Sequence, residues 1–192
     1  MTSARPLRAD AVRNRKKILN AAREQIAAHG PDIGMDEIAT AAGVAVGTLY
    51  RHFPAKTDLV AAVIADWLER VADDAEAAAA RTTAGSRALD EIAAFLQHFL
   101  ETAANDMAVK AAARTIGADT DPDTPVQRVT TALNTLIHAG QAEGDIHPDV
   151  TLADFYLLLD NAPTNQTPEA TARWLTLLLP GLTTQGRPDT TA

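Results

Sequence analysis

Apolar residues recur along almost the whole chain at spacings of three and four, the period that lines up side chains on one face of an α-helix. Ile18, Ala22 and Ile26 form the first such stripe, in a run of good helix formers that ends at Gly30-Pro31, and predict a helix over residues 12–29. Met35, Ile38, Ala39 and Ala42 continue the pattern without a miss as far as Gly43, a residue able to take positive φ. They predict a short second helix over 35–42. A third, over 45–52, buries Leu49 and is closed by Phe53-Pro54. Val60, Val63, Ile64, Trp67, Leu68 and Val71 keep helical spacing into an Ala-rich stretch and predict a long fourth helix over 57–80. Beyond Gly85, Leu89, Ile92, Leu96, Phe99 and Leu100 mark a fifth helix, and Met107 to Ile116 a shorter sixth. Asp119 to Pro125 reads as a loop, and Val129, Leu133, Leu136 and Ile137 place a seventh helix over 126–143. Leu152, Phe155, Tyr156 and Leu159 begin an eighth stripe, and Leu175, Leu178, Leu179 and Leu182 a ninth. No strand alternation is sustained and no internal repeat is visible, so the predicted fold is all-α with about nine helices, ending in a disordered polar tail over 183–192.

Composition narrows the class. The chain has 192 residues, 46% of them hydrophobic and 22% charged, with a formal net charge of −8. That is the balance of a folded protein of one large or two small domains. Without Cys there is no disulfide framework, no thiol nucleophile and no Cys-ligated zinc, and a reducing cytoplasm is the expected location. The longest apolar stretch, Trp174 to Leu182, is broken by Pro180 and Gly181 and falls short of the ~20 residues a membrane span needs. Arg13, Arg15, Lys16 and Lys17 interrupt any apolar core of signal-peptide type, so neither a membrane span nor export is expected. The average charge conceals an asymmetry: residues 1–60 carry a net +3 and residues 61–192 a net −11. Within residues 1–30, seven basic side chains face two acidic ones. A basic end on an acidic body suits a polyanion, or a merely solvated tail.

The segment that follows favours the polyanion. The second and third predicted helices are separated by a short turn containing Gly, with Ala39, Gly43 and Leu49 at helix-turn-helix spacing. A small residue at Ala39 allows close crossing, Gly43 permits the turn, and Leu49 plugs the third helix onto the first two. In Gly47-Thr48-Leu49-Tyr50-Arg51-His52-Phe53, Thr48, Arg51 and His52 fall on the outer side while Leu49 and Phe53 point inward. Lys56 then stands at the start of the fourth helix, where free backbone N–H groups favour a phosphate. From Met35 through Ala42-Gly43-Val44 and Gly47–Phe53 to Lys56 and Leu59, the chain resembles the TetR (tetracycline repressor) family of transcriptional regulators. The resemblance covers residues 12–60; beyond them only helix count and length agree. One departure is Ala55, where the family often carries a capping Ser or Asn, which predicts a helix start weaker by ~1 kcal/mol.

The resemblance implies four parts: a flexible basic arm (1–11), a helix-turn-helix DNA-binding domain (12–56), a helical ligand-binding and dimerisation domain (57–182) and the tail. Thr48 and Arg51 are the candidates for base-edge contact, since a Thr methyl can meet a thymine methyl and Arg can bind guanine bidentately. Tyr50, His52 and Lys56 match the family's phosphate contacts, and Gly47 lets the backbone approach DNA. Thr40 and an arm bearing Arg5 and Arg8 are further candidates, with plain solvation as the alternative. A single such domain reads few bases, so a homodimer on a palindromic double-stranded operator is expected, with recognition helices ~34 Å apart. The eighth and ninth helices suit the dimer surface, because Leu157, Leu158, Trp174 and Leu177 make each apolar on a second face. Between them and the DNA end, Phe95, Phe99, Met107, Ile116, Leu133, Ile137 and Tyr156 are candidates to line the pocket of an unknown small-molecule inducer, with His98 or His138 as a polar handle; plain core is the alternative for each. The expected function is a DNA-binding regulator, a repressor released by ligand; a helical protein-interaction module is the other reading. Catalysis has no support: no residue three before a His is acidic, His98-x-x-Glu101 stands alone, and no Gly-rich phosphate loop or nucleophile elbow occurs. No cofactor or metal is expected.

Overall fold

The structure, a computed structural model, describes residues 4–118, 123–163 and 166–186. Eight α-helices and one 3-10 turn make up the regular structure of the described residues: α1 (Ala4–His29), α2 (Met35–Ala42), α3 (Val46–His52), α4 (Lys56–Thr83), α5 (Ala88–Ile116), α6 (Asp123–Ala142), α7 (Leu152–Asp160), α8 (Pro168–Leu178) and η1 (Leu179–Leu182). The all-α fold follows the three-and-four periodicity, and the departures have local causes.

Helix α1 begins at Ala4, within what the sequence reads as the flexible arm; residues 1–3 of that arm lie outside the described residues. The fifth and sixth predicted helices are one helix, α5. Thr102, Asn105 and Asp106 are poor helix formers, but no Gly or Pro interrupts residues 101–106, and the Thr102 hydroxyl donates to the His98 carbonyl at 2.8 Å instead of breaking the turn. The eighth predicted helix is therefore α7 and the ninth is α8 with η1. The tail is ordered through its first residues: Thr183 pairs with Ile146 in an isolated bridge, and the Thr184 N–H donates to Asp145 O at 3.1 Å. Residues 187–192 of the expected tail, and most of the loop placed at Asp119–Pro125, lie outside the described residues.

The chain divides into two compact units whose boundaries fall inside helices. The first contains α1–α3, α4 as far as Trp67, and α5 from Asn105. Ile18, Ala22, Ile38, Ala39, Leu49, Leu59 and Val63 are fully buried there. Arg23 of α1 reaches two carboxylates in this unit, Asp66 of α4 at 3.0 Å and Asp106 of α5 at 2.6 Å. The second unit contains α4 from Leu68, α5 up to Ala104, and α6 to η1. Its core is built on Ile92, Leu133, Leu136, Ile146 and Phe155, all with no exposure. Arg128 of α6 bonds Glu69, Asp73 and Glu76 of α4 at 2.5–2.9 Å, and Arg87 bonds Asp145 through two N–H groups at 2.6 and 2.7 Å. Two helix starts are capped from sequence: Asp154 accepts from the Thr151 N–H at 2.8 Å, and Thr167 accepts from Ala170 N with Pro168 in the first turn.

Candidate nucleic-acid interface

The helix-turn-helix is built as its spacing requires. Glu37 accepts from the Gly34 N–H at 2.8 Å and so starts α2. Gly43 ends it at φ 64, ψ 37, a left-handed geometry that a side chain would strain. The Val44 N–H then returns to the Ala39 carbonyl at 3.1 Å, closing a Schellman turn. Ala39 is fully buried, so α2 passes close to its neighbours without a side chain in the way.

Helix α3 divides cleanly. Leu49 has no exposure and Phe53, which caps the helix with its N–H on Leu49 O at 2.8 Å, has 5%. On the other side Gly47, Tyr50 and Arg51 are exposed, Thr48 and His52 are half-buried, and Val46 and Tyr50 are among the few large apolar side chains left to solvent. A Cβ on Gly47 would meet nothing within 4 Å, so no neighbouring atom requires glycine at this position. Thr40 is exposed on α2, its hydroxyl donating back to the Asp36 carbonyl at 2.9 Å.

Two positions differ from expectation. The half-buried Lys56 turns its ammonium back onto the loop before α2, donating to the carbonyls of Pro31 and Ile33, the latter at 2.5 Å. Two of its three N–H donors are thus engaged within the protein. The start of α4 is also better capped than Ala55 suggests, because Asp58 accepts from the Ala55 N–H at 3.0 Å. Sequence reasoning missed this carboxylate although it stands three residues on, the usual reach of a reciprocal cap. It also passed over Arg15, whose guanidinium carbon lies 5.6 Å from the Phe53 ring centroid.

The residues expected to line a ligand pocket fall in both units and are taken separately. In the second unit Phe95, Phe99, Leu133 and Ile137 are buried, the two Phe rings lie 6.4 Å apart, and the half-buried Tyr156 exchanges a 2.6 Å hydrogen bond with Thr130. His98 is on the surface, 54% exposed, with Nε2 3.4 Å from Asp74, and His138 is exposed as well. Both candidates for a polar handle stand on helix faces turned to solvent. Met107 and Ile116 belong to the first unit and are half-buried. Among the described residues no group of three His, Cys, Asp or Glu side chains could hold a metal ion, and no helix is long and apolar enough to cross a membrane.

A short recognition helix plugged by one leucine, joined through a left-handed glycine to a supporting helix and turned cation-outward, defines a helix-turn-helix DNA-binding transcriptional regulator. Residues 18–63 match the family described as bacterial regulatory proteins, tetR family, and residues 87–184 match the SbtR-like transcriptional regulator C-terminal domain. The chain belongs to the TetR family. A TetR transcription regulatory protein from Mycobacterium vanbaalenii is 32% identical with a TM-score of 0.72, the match covering 93% of this chain and 99% of that one. A protein described as a gamma-butyrolactone receptor shares the fold at 21% identity and a TM-score of 0.66, over 94% of this chain and 92% of that one. A protein of Pseudomonas putida described as the uncharacterized HTH-type transcriptional regulator TtgW is 43% identical over 63 residues, a match spanning 32% of this chain and 47% of that relative.

Proposed function

We propose that the protein is a homodimeric repressor that binds a palindromic operator and leaves it when a small, weakly polar molecule binds the second unit. The observation that carries the DNA-facing part is the division of α3: Leu49 and Phe53 are taken up by the core, while Arg51 and Tyr50 are committed to nothing inside it. Thr48 and Arg51, three apart and hence on one helical face, read base edges. Tyr50, His52 and Thr40 hold phosphates and fix the register of α3. Gly47 brings the backbone close to DNA; the open space around its missing Cβ supports that role, since packing does not demand glycine there. Lys56 contributes its remaining N–H to a phosphate while bracing the loop before α2.

Dimerisation uses α7 and α8 with η1. Leu157 and Leu177 are each 64% exposed, which is a large apolar cost in a monomer and an ordinary one at an interface. The inducer sits among Phe95, Phe99, Leu133, Ile137 and Tyr156; an apolar lining with one hydroxyl suits a small, weakly polar molecule, and the receptor-like relative supports ligand control. Helices α4 and α5 each run through both units, so a ligand that favours one arrangement of either helix shifts the other unit, with coupling of ~1–3 kcal/mol. The test is selection of bound fragments from genomic DNA by the purified full chain, with its mass measured in solution. A two-fold symmetric motif protected by a dimer is expected; a monomer, or bound fragments sharing no motif, would contradict the proposal.

A further inference from the structure

The stretch of helix α1 from Ala9 to Lys17 buries no side chain. Among the residues of α1 whose burial is described, Ala9 onward, the first buried one is Ile18; from Ala9 to Lys17 every side chain is exposed or half-buried, and Val12 is 69% exposed. At 1.5 Å per residue these nine residues span roughly 13 Å. A helical segment that buries nothing gains little from its own protein, and this one is dense in charge: Arg13, Arg15, Lys16 and Lys17 fall within five residues. Asp10 pairs with Arg13, whereas among the described residues no carboxylate pairs with Arg15.

Arg15 is placed by an aromatic ring instead. It stands three and four residues before Ile18 and Leu19, so it continues the buried stripe of α1 at the point where that stripe leaves the core. There its guanidinium lies over Phe53, the residue that ends α3, whose ring is 6.2 Å from that of His52. A planar cation, a group able to fork onto a phosphate, is thus held beside the end of the recognition helix and exposed to solvent.

We propose that the turns of α1 from Ala9 to Lys17 are a second DNA-contacting element, in which Arg15, stacked on Phe53, binds a backbone phosphate next to α3. The occupant is duplex DNA, chosen by charge complementarity between this exposed basic face and a polyphosphate backbone. The inference rests on reading α3 as the DNA-facing helix, and the salt dependence of binding separates the two. Full-length wild type, Arg15→Ala and Arg15→Lys are titrated against a fluorescent 30-base-pair duplex between 50 and 300 mM salt. Arg15→Ala should lower the slope of log K against log salt by about 0.9 per bound protomer and weaken operator and scrambled DNA by the same factor. Arg15→Lys should keep the wild-type slope yet bind more weakly, because the charge remains while the stacked guanidinium is lost. A merely structural role would change affinity without changing the slope. A steep wild-type slope that Arg15→Ala leaves intact would overturn this inference alone; a wild type without salt-dependent binding would overturn the α3 reading with it.

Discussion

Arg23 is the side chain whose loss should cost the DNA-binding unit most among its charged residues. Its Nε lies 2.6 Å from Asp106, a carboxylate only 1% exposed, and one of its Nη groups lies 3.0 Å from Asp66, which is 38% exposed. Arg23 itself is 14% exposed, so one of its two pairs is sealed from water and the other is not. Breaking a buried pair by deleting one partner costs about 3–5 kcal/mol, because the surviving charge has already lost its hydration. The residual exposure of Arg23 places Arg23→Met near the bottom of that range, about 3 kcal/mol, or roughly 150-fold in the folding equilibrium at 1.36 kcal/mol per decade. Asp66→Asn removes the partly wet pair and should cost less than about 1 kcal/mol. For a chain of this length, 3 kcal/mol corresponds to a melting-point fall of about 6–12 °C. Denaturant midpoints at one fixed protomer concentration check both variants, since a dimer links stability to concentration. Arg23→Met within 0.5 kcal/mol of wild type, or Asp66→Asn as damaging as Arg23→Met, would refute the reasoning.

Three further predictions follow from individual contacts. Gly140 packs under Ile146, and a Cβ on it would lie 2.5 Å from Ile146 Cγ1, so Gly140→Ala should cost about 1–3 kcal/mol by overpacking. In an Ile146→Ala background the Cγ1 clash is gone and only the Ile146 Cβ at 3.3 Å remains, so the cost should shrink, and a cost as large as in wild type would refute the contact. Lys56→Met removes a charged donor from the Pro31 and Ile33 carbonyls and should lower stability by about 2 kcal/mol, read by urea titration; an unchanged midpoint would show that the clamp is idle. Hydrogen bonds from Arg87 and Arg128 hold Asp145 and Glu76 below their ordinary values of 3.8 and 4.5. Groups depressed by folding stabilise the fold above those values, and the contribution is lost as pH falls through their folded-state pKa. The stability gap between wild type and an Arg87→Met, Arg128→Met double variant should therefore be present at pH 7 and shrink below pH 4; a gap that widens in acid would reverse the sign.

The parts of the molecule that sequence reading captured are those in which neighbours along the chain determine one another. Ala39, Gly43 and Leu49 lie within eleven residues, and each does what its spacing implies: buried crossing point, left-handed turn and core plug. The outward face of α3 follows from the same period. Pairings across long separations leave no local trace. Arg23 and Asp106 are 83 residues apart, and nothing in a count of charges joins them. The order of Thr183 and Thr184 comes from backbone pairing with Ile146 and Asp145, which polar composition hides. The break placed before Met107 is overridden by a continuous run of non-Gly, non-Pro residues. Ala72, Ala75, Ala78 and Ala79 signalled helix, but not that they are buried in the core.

The central claim is that the exposed face of α3 reads base sequence through Arg51. Its most direct test compares the affinities of wild type and Arg51→Ala for the selected operator and for a scrambled duplex of the same composition at one salt concentration. A bidentate contact to guanine is worth about 1–3 kcal/mol of discrimination at each half-site, so the variant should lose most of its preference while keeping nearly all of its affinity for scrambled DNA. An undiminished ratio of the two affinities in Arg51→Ala would contradict the account.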